Sequence, residues 1–60
     1  MSWKEKPQEE WGDEEFDGAA TWVLNTLGLT EGYRGYVEGL LETYGPEDIT
    51  HEHVEEMVRL

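Results

Sequence analysis

The sequence has no cysteine and only four basic residues among its 60 positions. Without cysteine, neither a disulfide nor a zinc-thiolate centre can stabilise the fold. A chain this short buries only about 60% of its unfolded surface, so its stability on its own is marginal. We therefore expect it to dock on a partner or to self-associate.

Long hydrophobic runs are also missing, since no uninterrupted apolar run exceeds about three residues. A transmembrane helix needs roughly 20 such residues. The chain also has no basic start followed by an apolar segment of the kind that directs export. These absences predict a cytoplasmic protein, acting inside its own cell or a host cell.

The charge is strongly acidic, because 15 acidic residues face the four basic ones and the formal net charge is −11. Residues 1–12 are nearly balanced, so residues 13–60 carry almost all of it. Such a surface repels phosphate backbones and anionic membranes, so we expect neither direct nucleic-acid binding nor membrane binding. The expected partner is a protein with a basic or apolar docking surface. The alternative is that the charge serves only solubility or salt adaptation.

Two apolar stripes share the spacing i, i+3, i+4, i+7, i+8, i+11, which places six side chains on one side of a helix. A glycine, Gly28 or Gly45, follows each stripe directly. This pattern predicts two antiparallel helices joined by a short turn. The first stripe comprises Phe16, Ala19, Ala20, Val23, Leu24 and Leu27, and the second Tyr33, Tyr36, Val37, Leu40, Leu41 and Tyr44.

The predicted fold is all-α: a three-helix body over residues 13–60 and an extended or disordered arm over residues 1–12. Asp13 is expected to cap the first helix, and Gly28 to end it in a left-handed conformation. The second helix is expected over residues 31–44. A short third helix should begin after Thr50 and close over the hairpin.

Tryptophans and glycines supply the predicted partner contacts. Trp3 and Trp11 lie in a polar arm, where an indole anchors either on its own domain or on a partner. Glycines inside the second helix, including Gly32, cost up to about 1 kcal/mol each and suggest a groove that another backbone or a ring can enter, with a tryptophan as a candidate occupant. The alternative is that they only loosen the helix, or that the first of them marks a later helix start. The predicted contact residues are Trp3, Trp11, Trp22, Gly35, Tyr36 and Gly39.

Glutamates on the outer side of the predicted helices form the second candidate surface, although Arg34 interrupts their row. Spaced carboxylates on rigid helices can imitate a phosphate backbone; the alternative is an ordinary solvated face. The acidic surface comprises Glu31, Glu38, Glu42, Glu52, Glu55 and Glu56.

Catalytic and metal-binding patterns are weak. His51 with Glu55, or His53 with Glu56, could share one side of a helix, but the pattern specifies no third ligand. No serine or threonine stands in a recognisable triad, and the chain is too small to build a water-poor cleft. We therefore expect no enzyme, no cofactor and no metal site.

The sequence thus favours a non-catalytic interaction protein, an accessory subunit or regulator of a larger protein. One alternative is an inhibitor of the phage or mobile-element type that mimics nucleic acid and occupies a basic groove. Another is a minor structural component of a phage particle or other assembly.

Overall fold

Three α-helices and no β-strand make up the regular structure of residues 3–59, the part of the chain that the computed structural model describes. Turns of 3₁₀ helix precede or connect the helices at Trp3–Glu5, Gln8–Glu10, Glu31–Tyr33 and Pro46–Asp48. The predicted all-α three-helix body is confirmed. None of the helices in residues 3–59 has the length and hydropathy that crossing a membrane requires. The helices are α1, Asp13–Leu27; α2, Arg34–Leu41; and α3, His51–Arg59.

The N-cap of the first helix lies one residue earlier than predicted. Gly12 is the extended N-cap, and its backbone N–H donates a hydrogen bond of 2.7 Å to Oε1 of Glu15. Asp13 is therefore the first residue of the helix, and its expected capping role was wrong. Gly12 has no side chain that could accept a hydrogen bond from the N–H groups of the first turn. Only the second bond of a capping box is present, in which the Glu15 carboxylate accepts the N–H of the N-cap residue.

The end of α1 is the predicted stop. Gly28 lies in the left-handed region with φ 71°, which glycine adopts without a Cβ penalty. Its N–H and that of Leu29 reach back to the carbonyls of Asn25 and Leu24 at 3.3 Å and 2.8 Å. These two bonds define a Schellman motif, and they turn the chain so that α2 runs back against α1.

The core contains mainly the middle residues of both stripes. Phe16, Leu27 and Tyr33 are partly buried against it, whereas Tyr36 and Tyr44 are exposed at 38% and 36%. The regular part of α2 is shorter than the predicted 31–44, with a 3₁₀ turn before it and turns after it. Tyr44 therefore lies beyond the end of the helix, whereas Tyr36 lies within it on a side that the core does not cover. The buried residues are Ala19, Ala20, Val23, Leu24, Val37, Leu40, Leu41, Ile49 and Val54.

The third helix closes over the hairpin as expected. Thr50 is its N-cap, because the backbone N–H of His53 donates to Thr50 Oγ1 at 3.4 Å. The reciprocal bond runs from the Thr50 N–H to Nδ1 of His53 at 3.3 Å. Ile49 and Val54 are both buried in the core, which fixes the angle at which the chain enters α3.

Candidate functional site

The tryptophans form one aromatic cluster on α1. Trp3 meets Trp11 and Trp22 edge to face, with ring centroids 5.8 Å and 5.6 Å apart. Trp11 in turn meets Phe16 at 5.2 Å. These are the geometries that aromatic pairs prefer. The structure therefore brings together three of the predicted contact residues, and it does so on the chain's own domain.

A glycine of α1 makes this cluster possible. A Cβ placed on Gly18 would lie 3.0 Å from Cδ1 of Trp3, which is tighter than nearly all real contacts of a Cβ. The sequence reasoning singled out the glycines of the second helix and missed this one. The available signal was its position four residues before Trp22, on the same flank of the helix.

Polar contacts fasten the arm at further points. The indole N–H of Trp11 donates to the carbonyls of Trp3 and Lys6 at 3.0 Å and 3.2 Å, which closes the arm into a loop. Gln8 donates from Nε2 to the carbonyls of Leu41 and Tyr44, at the end of α2. The arm was predicted to be extended or disordered. Over residues 3–12 it contains two 3₁₀ turns, which tertiary contacts hold in place. Such contacts cannot be inferred from the local composition.

One carboxylate, Glu15, ties the arm to α1 by two contacts. Its pKa is lowered, chiefly because the N–H of Gly12 donates to it, and further by its own backbone N–H and by the nearby charge of Lys6. Nζ of Lys6 is 3.5 Å from Oε2 of Glu15. Because both contacts favour the ionised form, they weaken when the carboxylate is protonated.

The predicted groove of Gly35 and Gly39 is not a single groove. A Cβ on Gly39 would lie 3.1 Å from Cε of Met57 on α3, whereas one on Gly35 would meet nothing within 4 Å. Met57 therefore occupies the position for which a tryptophan was expected. Tyr36 lies near Tyr33 at a ring distance of 6.1 Å.

The row of glutamates on α2 is partly neutralised. Arg34 donates to both carboxylate oxygens of Glu31, each at 2.8 Å, and to Oδ1 of Asp17, also at 2.8 Å. A further bond of 2.9 Å reaches Oγ1 of Thr21, so this side chain clamps α1 to α2. The hydrogen bond from Arg34 lowers the pKa of Glu31 and raises that of the guanidinium. Glu31 consequently contributes little free negative charge to the surface.

A groove of about 410 Å³ lies between α1 and α2, where α1 begins and α2 ends. Two carboxylates from each helix converge on it, and the pairs are each four residues apart, on one side of their helix. Sequence reasoning identified Glu38 and Glu42 but missed their counterparts on α1, because the pairing depends on the register of the two helices. This acidic groove is lined by Asp13, Phe16, Asp17, Glu38 and Glu42.

One of the two histidines of α3, His53, takes a structural position, whereas His51 is exposed. His53 stacks on Tyr44 with ring centroids 4.3 Å apart, and its Nδ1 accepts the N–H of Thr50. Neither candidate pair of histidine and glutamate gains a third ligand, since residues 3–59 hold no group of three or more His, Cys, Asp or Glu arranged around a metal ion. The predicted acidic residues Glu52, Glu55 and Glu56 are exposed on the same helix.

Comparisons with protein-family models, with curated proteins and with solved structures find no match for this chain. Function therefore has to be inferred from the chemistry of the surface. In residues 3–59 no polar or charged residue is fully buried, and most of the carboxylates are exposed to solvent, where they can meet a partner.

Proposed function

We propose that this chain is a small, acidic, non-catalytic interaction module that acts inside a cell as an accessory subunit or regulator of a larger protein. The observation that supports the proposal best is the acidic groove, where carboxylates of two helices face the same space around Phe16. Four carboxylates beside one aromatic ring suit a lysine or arginine, whose stem packs on the ring while its charge meets the oxygens.

The cations of residues 3–59 neutralise only part of this groove, since Arg34 pairs with Asp17 but with none of its other carboxylates. Lys6 is engaged with Glu15, and Arg34 is shared between Glu31 and Asp17. No ion pair within residues 3–59 involves Glu38 or Glu42. A basic protein surface would supply the missing charge, and the net charge of −11 would speed its approach.

The arm's tryptophans take a smaller part in this proposal than the sequence suggested. Trp3, Trp11 and Trp22 are packed against the domain and only half-buried, so a partner would meet their exposed edges. Removing them would also disturb the fold, so loss of binding in such variants would not by itself identify a contact.

The second candidate is an inhibitor that mimics nucleic acid, and the same groove favours it. Its carboxylates stand in rows on two rigid helices, as phosphates stand along a strand. Mimicry requires the partner's nucleic-acid site to be the docking surface. Nucleic acid or another polyanion would then compete with this chain for the partner, and the affinity would fall steeply with salt.

The test is affinity capture from the native host, followed by binding measurements on the identified partner. The informative variant is Glu38→Gln with Glu42→Gln, and the matched control is Glu5→Gln with Glu10→Gln, which removes the same charge from exposed positions of the arm. We expect the groove variant to weaken binding about tenfold and the control by much less. The reason is that ion pairs in direct contact contribute more binding free energy than long-range attraction between net charges. Equal effects of the two variants would show that only net charge matters and would refute the groove as the docking site.

A further inference from the structure

A second groove, of about 370 Å³, lies at the opposite end of the hairpin, where α3 passes the turn between α1 and α2. Its apolar members come from three elements, whereas the acidic groove has a single aromatic ring. One of them, Val58, is 48% exposed and is the most exposed large apolar side chain of residues 3–59. This turn groove is lined by Leu29, Tyr33, His51, Val54, Glu55, Val58 and Arg59.

The turn groove exists because α3 has more apolar surface than the hairpin covers. Val54 is 2% exposed in the core, and Met57 packs over Gly39. Val58, one turn after Val54, continues the same side of the helix but extends past the hairpin. The apolar floor thus remains partly open beside Leu29 and Tyr33, which are themselves only partly buried.

The charges around this floor indicate what could fill it. Glu55 lines the groove, Glu52 lies one turn before it on α3, and neither forms an ion pair with a cation of residues 3–59. Arg59, the single lysine or arginine of the helix, also lines the groove, but the three glutamates of α3 outnumber it. An apolar side chain flanked by lysine or arginine would therefore satisfy both the floor and the rim, whereas a second copy of this chain would bring another net charge of −11.

We propose that the turn groove binds an apolar side chain of a basic amphipathic helix, contributed by the protein partner. This inference rests on the proposed function and adds where the apolar anchor of the partner would sit. Amphipathic helices commonly bind in this way, with an apolar face in a groove and charged residues along the rim.

The probe is a leucine and lysine peptide of about 18 residues, amphipathic as a helix, added to the isotopically labelled protein. We expect NMR shifts to concentrate on the methyl groups of Leu29, Val54 and Val58. The variant Val58→Ser should weaken binding about fivefold, because it removes apolar contact without changing charge. The matched control is Tyr44→Ser, an exposed apolar side chain outside the groove, which should leave the affinity unchanged.

Salt separates the turn groove from simple charge attraction. Binding at this groove should persist, although weaker, at about 0.5 M salt, where attraction between exposed charges is largely screened. Shifts concentrated on Asp13, Asp17, Glu38 and Glu42, with Val58→Ser binding normally, would overturn this inference and leave the proposed function intact. Failure to bind the peptide, or dimerisation of the protein through Val58, would also overturn it. The proposed function fails separately, if no partner responds to the acidic-groove variant.

Discussion

The two outer segments of the chain, the arm and α3, attach to the hairpin in the same way but with different side chains. The arm places Trp3 over Gly18 of α1, and α3 places Met57 over Gly39 of α2. The distances from a Cβ built on each glycine are nearly equal, 3.0 Å and 3.1 Å. In each case a glycine that weakens its own helix creates the space that another segment fills.

The difference lies in how far each covering side chain can move. The indole of Trp3 is fixed between Trp11 and Trp22 by edge-to-face contacts, so its ring cannot shift independently. The contact atom of Met57 is the terminal methyl of an unbranched side chain, which can adopt another rotamer at low cost. Similar contact distances therefore do not mean similar tolerance, and the arm should be the more demanding of the two attachments.

The largest expected effect is the loss of the arm's anchor. Trp3→Ala should lower the free energy of unfolding by about 2 kcal/mol, less than for a fully buried tryptophan because Trp3 is only partly buried. Met57→Ala should cost about half as much, since a thioether side chain buries less surface than an indole. Urea unfolding followed by far-ultraviolet circular dichroism measures both values. If Met57→Ala is the more harmful variant, the order of the two attachments is reversed.

The next effect tests the rigidity of the arm contact. Gly18→Ala should destabilise the protein by about 1 kcal/mol, because the new methyl displaces a ring that its neighbours hold in place. The propensity gain of alanine in a helix, up to about 1 kcal/mol, works in the opposite direction. The double variant Gly18→Ala with Trp3→Ala serves as the control, since without the ring the alanine should become favourable. A stabilising effect of Gly18→Ala alone would show that the arm yields easily.

These contacts also mark the limit of what the sequence could predict. Apolar periodicity identified α1 and the inner core, because Val23, Leu24 and Val37 need only a regular helix to face one another. It could not identify the partner of Gly39, since that depends on the angle at which α3 crosses α2. Helical spacing places Met57 near Val54 on one side of α3, but it does not specify which residue of the hairpin Met57 meets.

The candidate surfaces show the same limit. Helical spacing alone places Glu38 and Glu42 on one strip of α2. That they face Asp13 and Asp17 can be known only from how α1 and α2 are offset along their axes. Likewise, the turn groove combines Leu29 from the α1–α2 turn with Val58 from the last turn of α3. Sites within one helix are therefore predictable from spacing, whereas sites between helices depend on packing that short patterns do not encode.

A smaller effect sharpens the comparison on the side of α3. Gly39→Ala should change the free energy of unfolding by less than about 0.5 kcal/mol, because the gain in helix propensity offsets the movement of Met57. The matched control is Gly35→Ala on the same helix, where a Cβ would meet nothing within 4 Å. That variant should stabilise by about 0.5 kcal/mol. If Gly39→Ala is as harmful as Gly18→Ala, Met57 is held as firmly as Trp3, and the distinction between the two attachments fails.

The smallest effect concerns pH, and it arises where the arm meets α1. The folded state lowers the pKa of Glu15 below its ordinary value of 4.5, mainly through the N–H of Gly12. The stability that Glu15 contributes is therefore fully present above pH 4.5 and is lost as the pH falls through the lower folded value.

Protonation of the other carboxylates at low pH also relieves the repulsion between them. A comparison of the parent protein with Glu15→Gln separates the contribution of Glu15 from that effect. The free energies of unfolding of the parent protein and of this variant should differ most near pH 7 and converge as the pH falls below the lowered pKa of Glu15, where this carboxylate becomes neutral. Glu9→Gln, which removes an exposed carboxylate of the arm, should show no such convergence. Parallel curves for the parent and Glu15→Gln would mean that ionised Glu15 does not hold the arm, leaving its attachment to the tryptophans and Gln8.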